Sequence, residues 1–229
     1  MVLECRVRNF LKNNPDIFLI GKKYTCKKSP YKVKIPKKES KEIMRFLGVL
    51  HGDGNISGKR ILITEKDGSF CEIIKSLFEK IFTIVPNIFY DKNRNSNYCH
   101  IKNSVICRYL VEVLEMPSES VRDNIKIPGF MKRLPLKLKT EYIGGLFDAE
   151  SWLTKRQAHI GFSITNKKIR DFISKILLRL GISHSITFRN RRENKEFEIH
   201  IYGKQNLKKF QETVGFKHPR KANFISTFY

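Results

Sequence analysis

Apolar residues recur at helical spacing in two distant segments of the chain. Residues 69–82, SFCEIIKSLFEKIF, and residues 167–180, KKIRDFISKILLRL, place them three and four positions apart. This spacing predicts an amphipathic helix in each segment. A short stretch of strand-forming residues precedes each one, LIT at 62–64 and SIT at 163–165. The chain therefore has the same order of elements in two places.

Alternating apolar and polar positions follow each of these helices. SITFR and EFEIHIY flank the turn sequence NRRENK, with Ile186, Phe188 and Ile199 on one face and Thr187 and His200 on the other. In the first half, NIFY and NYCHIK flank DKNRNS. Strand-forming runs separated by such turn residues predict a β-hairpin in each half.

A third pair of segments shows that the chain is an internal duplication. FLGVLHGDG at 46–54 aligns without gaps on IGGLFDAES at 143–151, and Lys-x-Pro recurs at 34–36, 126–128 and 217–219. Each half reads as helix, two strands, helix, two strands, helix, which predicts an α+β fold made of two αββαββα repeats. The predicted division is a basic leader at 1–39, a first repeat at 40–117, a linker at 118–138 and a second repeat at 139–229.

The aligned motifs, read as helices over 40–53 and 138–150, carry small residues four positions apart. Gly48 and Gly52 in the first copy correspond to Gly145 and Ala149 in the second. Residues at i and i+4 share a helix face, so each helix has a stripe almost without side chains. An interior glycine costs a helix about 1 kcal/mol. Close packing of the two stripes against each other is a physical reason to accept that cost.

Each motif then ends in an acid, Asp53 in the first copy and Glu150 in the second. If the helices cross near these ends, the two carboxylates come close together and repel each other unless a cation lies between them. The C-terminus of a helix also favours a cation. Carboxylate and carbonyl oxygens suit Mg²⁺, which also takes phosphate oxygens as ligands. The motif pair therefore predicts a divalent-metal site able to activate water against a phosphodiester.

The charge of the chain indicates a polyanionic partner. Lys and Arg number 45 against 22 Asp and Glu, a net charge of +23 in 229 residues. Such an excess favours nucleic-acid binding, because basic side chains displace counterions from phosphates. The lysine pairs of the leader, Lys22–Lys23, Lys27–Lys28 and Lys37–Lys38, fit a segment lying along the DNA backbone or in a minor groove, and equally a flexible solvated tail.

No membrane or secretory signal is found in the sequence. There is no apolar run of membrane-spanning length and the first residues do not resemble a signal peptide. The five cysteines show no zinc spacing and are expected to be reduced and buried. We expect an intracellular protein, cytoplasmic or nucleoid-associated, with organellar origin as an open alternative.

The two motifs at this spacing resemble the LAGLIDADG homing endonuclease family in its single-chain, two-repeat form. The resemblance covers residues 33–229. It implies a monomer with pseudo-twofold symmetry, whose two four-stranded antiparallel sheets form a saddle over the major groove of double-stranded DNA. It also implies that Asp53 and Glu150 are the catalytic acids and bind Mg²⁺, with Mn²⁺ or Ca²⁺ as alternative ions. The backbone carbonyls of Gly52 and Ala149 match positions that assist metal binding.

The same resemblance implies a basic residue near each metal site, and Lys126, Lys217 and Lys221 are the candidates. Three positions depart from the family pattern, and at one of them, Glu150, the family accepts glutamate in place of aspartate. His51 stands where the motif often has an acid and is interpreted as structural. Ser151 replaces the final glycine of the second motif, and we expect that half to end differently because serine tolerates a left-handed helix end less well.

Outward-facing residues of the predicted hairpins are suited to reading DNA in the major groove. The candidates in the first half are Arg60, Thr64, Lys92, Arg94, His100 and Lys102, and those in the second half are Lys155, Arg156, Arg189, Arg191, Arg192, Lys195, His200 and Tyr202. Because the two sets differ at corresponding positions, we expect an asymmetric target site.

Three functions fit these observations. The first is a sequence-specific, Mg²⁺-dependent endonuclease acting on double-stranded DNA at a long asymmetric site. The second is a non-catalytic nucleic-acid binder on the same fold, either an intron-RNA maturase or a DNA-binding regulator. The third is a basic RNA-packing protein, which would give no reason for duplicated small-residue helices ending in acids. The presence of both acids favours the first function, while the host element (intron, intein or free-standing gene) stays open.

Overall fold

A computed structural model describes residues 2–27, 31–118, 126–154, 157–191 and 194–228 of the chain. The first part contains α1 (Val2–Asn13), β1 (Ile17–Ile20), β2 (Lys23–Cys26), α2 (Lys41–Asp53), β3 (Gly54–Ser57), β4 (Arg60–Glu65), α3 (Gly68–Phe82), β5 (Asn87–Asp91), β6 (Ser96–Lys102) and α4 (Ser104–Arg108). The second contains α5 (Leu136–Glu150), β7 (Ser151–Thr154), β8 (His159–Ile164), α6 (Lys167–Arg179), β9 (Ser185–Arg191), β10 (Asn194–Tyr202), α7 (Lys204–Thr213) and α8 (Pro219–Ser226).

Each half forms one four-stranded antiparallel sheet, as the resemblance implies. The strand orders are β3-β4-β6-β5 and β7-β8-β10-β9, so the two sheets have the same topology. The registers also correspond, since His100 pairs with Leu62 in the first sheet and His200 pairs with Gly161 in the second. The predicted fold class, a pair of αββαββα repeats, is confirmed. The halves differ in how they close: a π-helical turn at Tyr109–Val113 follows α4, whereas the second half ends with two helices.

Local signals at the helix ends explain where these elements begin. The Ser40 side chain accepts a hydrogen bond from the backbone N–H of Ile43 at the start of α2. Asp67 caps α3 and Asn166 caps α6 in the same way, at corresponding positions of the two repeats. Short polar side chains at this position satisfy backbone donors that the helix leaves unpaired.

Residues 1–39, the predicted leader, fold in their described part. Leu3, Val7 and Phe10 form a buried face of α1, and the Phe10 ring meets Tyr109 edge to face at 6.4 Å. Strands β1 and β2 form a separate two-stranded sheet. The interpretation of this segment as a flexible tail is therefore wrong. The many lysines of the segment made its short apolar face difficult to recognise in the sequence. Lys28 lies outside the described residues, as does 119–125 of the predicted linker, and the division into repeats at that linker stays a prediction.

The cysteines are free thiols, and four of them are buried. Cys5 is exposed because it lies on the face of α1 opposite Leu3 and Val7, so the expectation of burial is wrong for this residue. Among the described residues, no helix has both the length and the apolar content needed to cross a membrane.

Candidate metal and nucleic-acid site

The small-residue faces of α2 and α5 touch, which confirms the predicted close packing. A Cβ added to Gly48 would lie 2.1 Å from the carbonyl oxygen of Tyr142 and 2.8 Å from the Cα of Gly145. A Cβ added to Gly145 would lie 2.2 Å from the carbonyl oxygen of Arg45. These distances leave no room for any side chain at the crossing, so the backbones themselves are in contact.

The acids lie together where the two helices end. A Cβ on Gly52 would lie 2.4 Å from the Cβ of Ala149 and 3.1 Å from the Cγ of Glu150. Burial raises the pKa of Asp53 to about 7, with further contributions from the negative charges of Glu150 and Glu65. A carboxylate that is costly to ionise beside other carboxylates is one that a cation would stabilise.

Both helices pass into a strand without a left-handed residue. Gly54 and Ser151 have φ values of −95° and −83° and extended backbones. The expectation that serine would alter the second helix end is therefore wrong, since any residue can adopt this conformation. Ser151 also donates its hydroxyl hydrogen to the carbonyl oxygen of Phe147, one turn earlier.

Lys221, one of the three predicted basic residues, caps the end of α5. Its buried ammonium donates to the carbonyl oxygens of Phe147, Asp148 and Ala149 at 3.1, 2.6 and 3.3 Å. Burial lowers the pKa of Lys221 to about 8, opposed by the charges of nearby acids that include Asp53 and Glu150. A cation at this position satisfies helix-end carbonyls, and it shares the Ala149 carbonyl that was predicted to bind metal.

Lys126 and Lys217, the other two predicted lysines, have exposed side chains. Lys126 lies in a segment without regular structure. The backbone N–H of Lys217 donates to Oδ1 of Asp148 at 2.9 Å, so this residue is anchored at α5 through its main chain.

A buried ion pair joins the two motif helices on one side of the crossing. The Arg45 guanidinium contacts Oδ2 of Asp148 through Nε at 2.7 Å and Nη2 at 2.6 Å. Gly144 makes room for it, since a Cβ there would lie 2.0 Å from the guanidinium. Asp148 also accepts from the backbone N–H of His218 at 3.0 Å, so the pair ties the C-terminal segment to both helices.

The opposite side of the crossing carries a neutral pair at the corresponding positions. Tyr142 aligns with Arg45 and His51 aligns with Asp148 in the duplicated motif. The Tyr142 hydroxyl lies 2.7 Å from Nδ1 of His51, and both side chains are buried. Burial lowers the pKa of His51 to about 4, so the ring is neutral at physiological pH. This placement agrees with a structural role for His51.

Sequence reasoning missed two residues of this region. Glu65 ends β4 and is one of the charges that raise the pKa of Asp53. His218 stacks on Phe70 with ring centroids 4.7 Å apart and lies 3.8 Å from both Glu65 and Asp67. Burial lowers the pKa of His218 to about 4. The signal for His218 was its place inside a repeated Lys-x-Pro element, whereas Glu65 has no acidic counterpart in the second repeat.

The candidate DNA-reading residues of the first half lie on one side of its sheet. Ile61 and Ile63 of β4 point into the core, and Arg60 and Thr64 alternate with them. The strand register pairs Arg60 with Lys102 and Leu62 with His100, so all four candidates on these strands share the outer face. The remaining two, Lys92 and Arg94, lie in the exposed turn between β5 and β6.

The second sheet has the same arrangement with different side chains. Ile199 and Ile201 are buried, whereas Arg189, His200 and Tyr202 lie on the other face. Ile186 and Phe188 share the apolar face as predicted, yet they are 41% and 70% exposed, so the core ends before this hairpin turns. Arg191 and Lys195 lie on β9 and β10, and the predicted contacts Lys155, Arg156 and Arg192 lie outside the described residues.

The donor set fits a divalent cation that also takes ligands from a bound phosphate. Among the described residues, no group of three His, Cys, Asp or Glu side chains is arranged to hold a metal ion alone. Asp53 and Glu150 supply two carboxylates and Gly52 a main-chain carbonyl, while the Ala149 carbonyl already accepts from Lys221. Mg²⁺ tolerates so few protein ligands because it keeps waters and binds phosphate oxygens.

These features define a class of protein: a two-repeat α+β chain with paired acids at a helix crossing and two polar sheet faces. Residues 137–215 match the family model described as a LAGLIDADG-like domain. This match covers most of the second repeat, and the paired motifs of the whole chain resemble the same family.

Solved structures share this fold. The homing endonuclease I-DmoI in complex with DNA and Ca superposes with a TM-score of 0.59 at 17% identity, over 83% of this chain and all of that one. Full-length DUF199/WhiA from Thermatoga maritima gives a TM-score of 0.58 at 16% identity, over 85% of this chain and 61% of that chain. At these identities the likeness concerns the fold alone.

Curated relatives are much longer than this chain. A probable translation initiation factor IF-2 of Methanocaldococcus jannaschii is 31% identical over 199 residues, which is 84% of this chain and 17% of the relative. A glutamine–fructose-6-phosphate aminotransferase of the same organism is 28% identical over 80% of this chain and 17% of its own length. A DNA polymerase of Thermococcus hydrothermalis is 27% identical over 81% of this chain and 12% of the polymerase.

Proposed function

We propose that this chain is a monomeric, sequence-specific endonuclease that hydrolyses both strands of duplex DNA at a long asymmetric site. The observation that carries the proposal is the delivery of Asp53 and Glu150 to one place by two helices in backbone contact. Each acid stands where its motif helix enters the first strand of a sheet. Metal and substrate would therefore meet beside the two sheet faces that carry the candidate base contacts.

The curated relatives support this function because they resemble this chain over one segment but are otherwise different proteins. An initiation factor, an aminotransferase, a DNA polymerase and a tRNA-splicing ligase have different activities, yet each contains a segment similar to this chain. A segment common to such different proteins is best explained as a module inserted into them, with an activity of its own. Insertion into new genes is what a site-specific DNA endonuclease promotes, so we propose that the shared segment is this endonuclease.

The acids and Lys221 divide the chemistry in this proposal. Asp53 and Glu150 would hold a divalent cation, which would supply an activated water and neutralise charge on the leaving oxygen. Lys221 keeps a positive charge close to both acids while it is bound to the end of α5. It thereby fixes the direction of the helix that carries Glu150 and favours a negatively charged phosphate nearby.

The sheets account for the proposed asymmetry of the target. The outer face of the first sheet presents Arg60 and Lys102, which suit phosphates and guanine edges. The corresponding region of the second sheet presents histidine, tyrosine and threonine side chains. Two faces with different hydrogen-bonding groups select different half-sites.

A non-catalytic DNA-binding function is the second candidate, and one observation favours it. The Ala149 carbonyl, a position that assists metal binding in the resemblance, accepts a hydrogen bond from Lys221 at 3.3 Å. An ammonium at this point competes with a metal ion for the same oxygen. A chain that binds DNA without cutting it would have this arrangement without loss of function.

Selection of cleaved sites from a randomised plasmid library in Mg²⁺ tests the proposal. The wild-type chain is expected to linearise a small set of related sequences, whereas Glu150→Ala is expected to recover none. A wild type that binds a defined duplex but leaves it intact would support the non-catalytic function instead. Recovery of the same sites by Glu150→Ala would contradict the assignment of the acids.

A further inference from the structure

A chain of hydrogen-bonded side chains crosses the outer face of the second sheet and takes one residue from each strand. Thr154 of β7 lies 3.3 Å from Nδ1 of His159 on β8. Nε2 of His159 lies 3.0 Å from Nδ1 of His200 on β10. Nε2 of His200 lies 2.9 Å from the hydroxyl of Thr187 on β9. The histidines therefore connect two hydroxyls at opposite edges of the sheet.

Aromatic packing holds this chain rigidly. The His159 ring stacks on Tyr202 with centroids 4.4 Å apart and on His200 at 5.2 Å. Trp152 meets both histidines edge to face, at 6.4 and 6.2 Å. Trp152 occupies the space over Gly161, where a Cβ would lie 2.2 Å from the indole. The glycine thus makes room for the aromatic wall of the chain.

When both histidines are neutral, all the hydrogen bonds across the sheet run in the same donor-to-acceptor order. A neutral imidazole has one N–H and one acceptor nitrogen, so each ring passes on one hydrogen bond in the same sense. Oε2 of Glu198 lies 3.4 Å from Nε2 of His200 and favours a proton on that nitrogen. Thr154 then donates to Nδ1 of His159, His159 donates to His200, and His200 donates to Thr187. In this order Thr154 offers only lone pairs to a ligand, whereas Thr187 offers its own hydrogen.

One added proton changes one end of the chain. A protonated His159 donates from both nitrogens, to His200 and to Thr154, while the rest of the chain keeps its order. Thr154 becomes an acceptor within the chain and its hydroxyl hydrogen is released toward the ligand. A second proton, on Nδ1 of His200, would set two N–H groups against each other across the 3.0 Å contact, so the geometry of the contact accommodates one added proton and not two.

We propose, on the basis of the proposed DNA binding, that these hydrogen-bonded side chains make the base preference of the second sheet depend on protonation of the histidine pair. With both rings neutral, Thr154 accepts a hydrogen bond from a base donor, such as the amino group of adenine or cytosine. After one protonation it donates instead, and guanine, whose major-groove edge has only acceptors, is preferred. Thr154 and the two histidines are therefore specificity-determining residues.

The charged groups around the chain agree with a neutral resting state. On this face the described residues include Glu198 and Tyr202 from β10 and Arg189 from β9, whose Nε lies 3.4 Å from Oε1 of Glu198. Burial and the neighbouring His200 lower the pKa of His159, and Glu198 partly opposes them. Protonation therefore belongs to mildly acidic conditions, below the ordinary histidine value of 6.5.

The first sheet supplies a matched control. His100 occupies the same position as His200, yet its strand partners are Leu62 and Asn87. It has no second histidine beside it on these strands. A change at His100 therefore removes one histidine from the outer face of a sheet without interrupting a row of hydrogen-bonded side chains.

Selection of bound duplexes from a randomised library at about pH 7.5 and about pH 5.5 tests the proposal. For the wild type we expect at least about a fivefold gain in preference for guanine on acidification, at one or two positions of one half-site. His159→Gln, which cannot take up the proton, is expected to lose this gain, so that its own selected duplexes are the same at both pH values. His100→Gln is expected to keep it. Thr154→Val is expected to lose the preference at that position at both pH values.

The outcomes separate this inference from the function on which it rests. Duplex selection without a pH-dependent change, or with the same change in His159→Gln, would overturn the inference and leave DNA binding intact. Failure to select any duplex at either pH would contradict the proposed function and the inference together. Imidazole NMR of the free protein gives a check without DNA: His159 is expected to titrate at a higher pH in His200→Gln than in the wild type, because the neighbouring His200 helps to lower the pKa of His159. The same His159 titration in both proteins would overturn the coupling.

Discussion

Asp53 lowers the stability of the folded protein when its buried carboxylate is ionised. Its pKa rises from 3.8 to about 7 on folding, mainly through burial. The folded state therefore binds this proton more tightly than the unfolded state between these two values. The stabilising contribution is complete below about pH 4 and is lost as the pH rises toward 7.

Asp53→Asn is accordingly expected to raise the melting temperature of the metal-free protein at pH 8 and to change it little at pH 4. The effect at pH 8 is on the order of 2 to 4 kcal/mol, since one pKa unit corresponds to 1.4 kcal/mol. Added Mg²⁺ is expected to stabilise the wild type at pH 8 and not the variant, because a ligand stabilises the state that binds it. Thermal melts at both pH values, with and without Mg²⁺, measure this. Equal melting temperatures at pH 8 would contradict the burial of an ionised Asp53.

The sequence made Asp53 and Glu150 the leading candidates because the motif occurs twice, and two aligned copies are a more specific signal than one. It could not identify Glu65 or His218. Glu65 comes near Asp53 because β4 pairs with β3, the strand that directly follows Asp53. His218 comes near Glu65 because the C-terminal segment of the second repeat packs against the first repeat, where His218 stacks on Phe70. Lys221 was one of three equivalent candidates until burial and its three helix-end carbonyls distinguished it.

The crossing of α2 and α5 is the element that brings the acids together. Gly48→Ala would place a methyl group 2.1 Å from the carbonyl oxygen of Tyr142, so the helices must separate. We expect a loss of about 1–3 kcal/mol in the free energy of unfolding, the usual cost of overpacking. Gly68→Ala is the matched control, since its nearest neighbour would be the Asn97 amide nitrogen at 3.9 Å. Urea unfolding of the two variants compares them, and equal stabilities would mean that the helices do not touch as described.

The two side-chain pairs that flank the crossing are expected to differ in energy. Asp148→Ala leaves the Arg45 guanidinium buried without its carboxylate, and we expect a loss of about 3–5 kcal/mol. His51→Phe removes one neutral hydrogen bond to Tyr142 and a buried ring nitrogen that has no described partner. Because the buried Tyr142 hydroxyl then loses this partner, the change is expected to cost about 1–3 kcal/mol, less than the loss of the carboxylate from the ion pair. The difference in unfolding free energy between the two variants is the measurement, and a larger loss for His51→Phe would reverse the interpretation of the pairs.

Helices, strands and their duplication followed from hydrophobic spacing, and most element bounds agree within two residues. The sequence could not give the contact partners of charged residues. Arg45 and Asp148 are 103 positions apart, and only the helix crossing brings them together. The same holds for His159 and His200, which are 41 positions apart and meet because β8 and β10 are neighbours in the sheet.

At the scale of the whole molecule, two similar repeats have acquired different surroundings. The first repeat carries the additional α1 and hairpin of residues 2–27, whose burial could not be distinguished from a solvated basic tail by composition. The second repeat closes with α7 and α8, and α8 supplies Lys221. The first addition packs against the first repeat through Phe10 and Tyr109, and the second packs against α5 of the second repeat through Lys221. The molecule is therefore asymmetric around the paired acids as well as on its sheets.

Cleavage of a plasmid carrying a selected site, followed for the wild type, Asp53→Asn and Glu150→Gln under the same Mg²⁺ conditions, tests the central claim most directly. Duplex binding of each protein is measured in parallel in Ca²⁺. The account predicts that the wild type linearises the plasmid and that each substitution stops linearisation while the duplex is still bound. Linearisation by both variants at the wild-type rate would contradict the claim that the touching helices bring these two acids to the reacting phosphates.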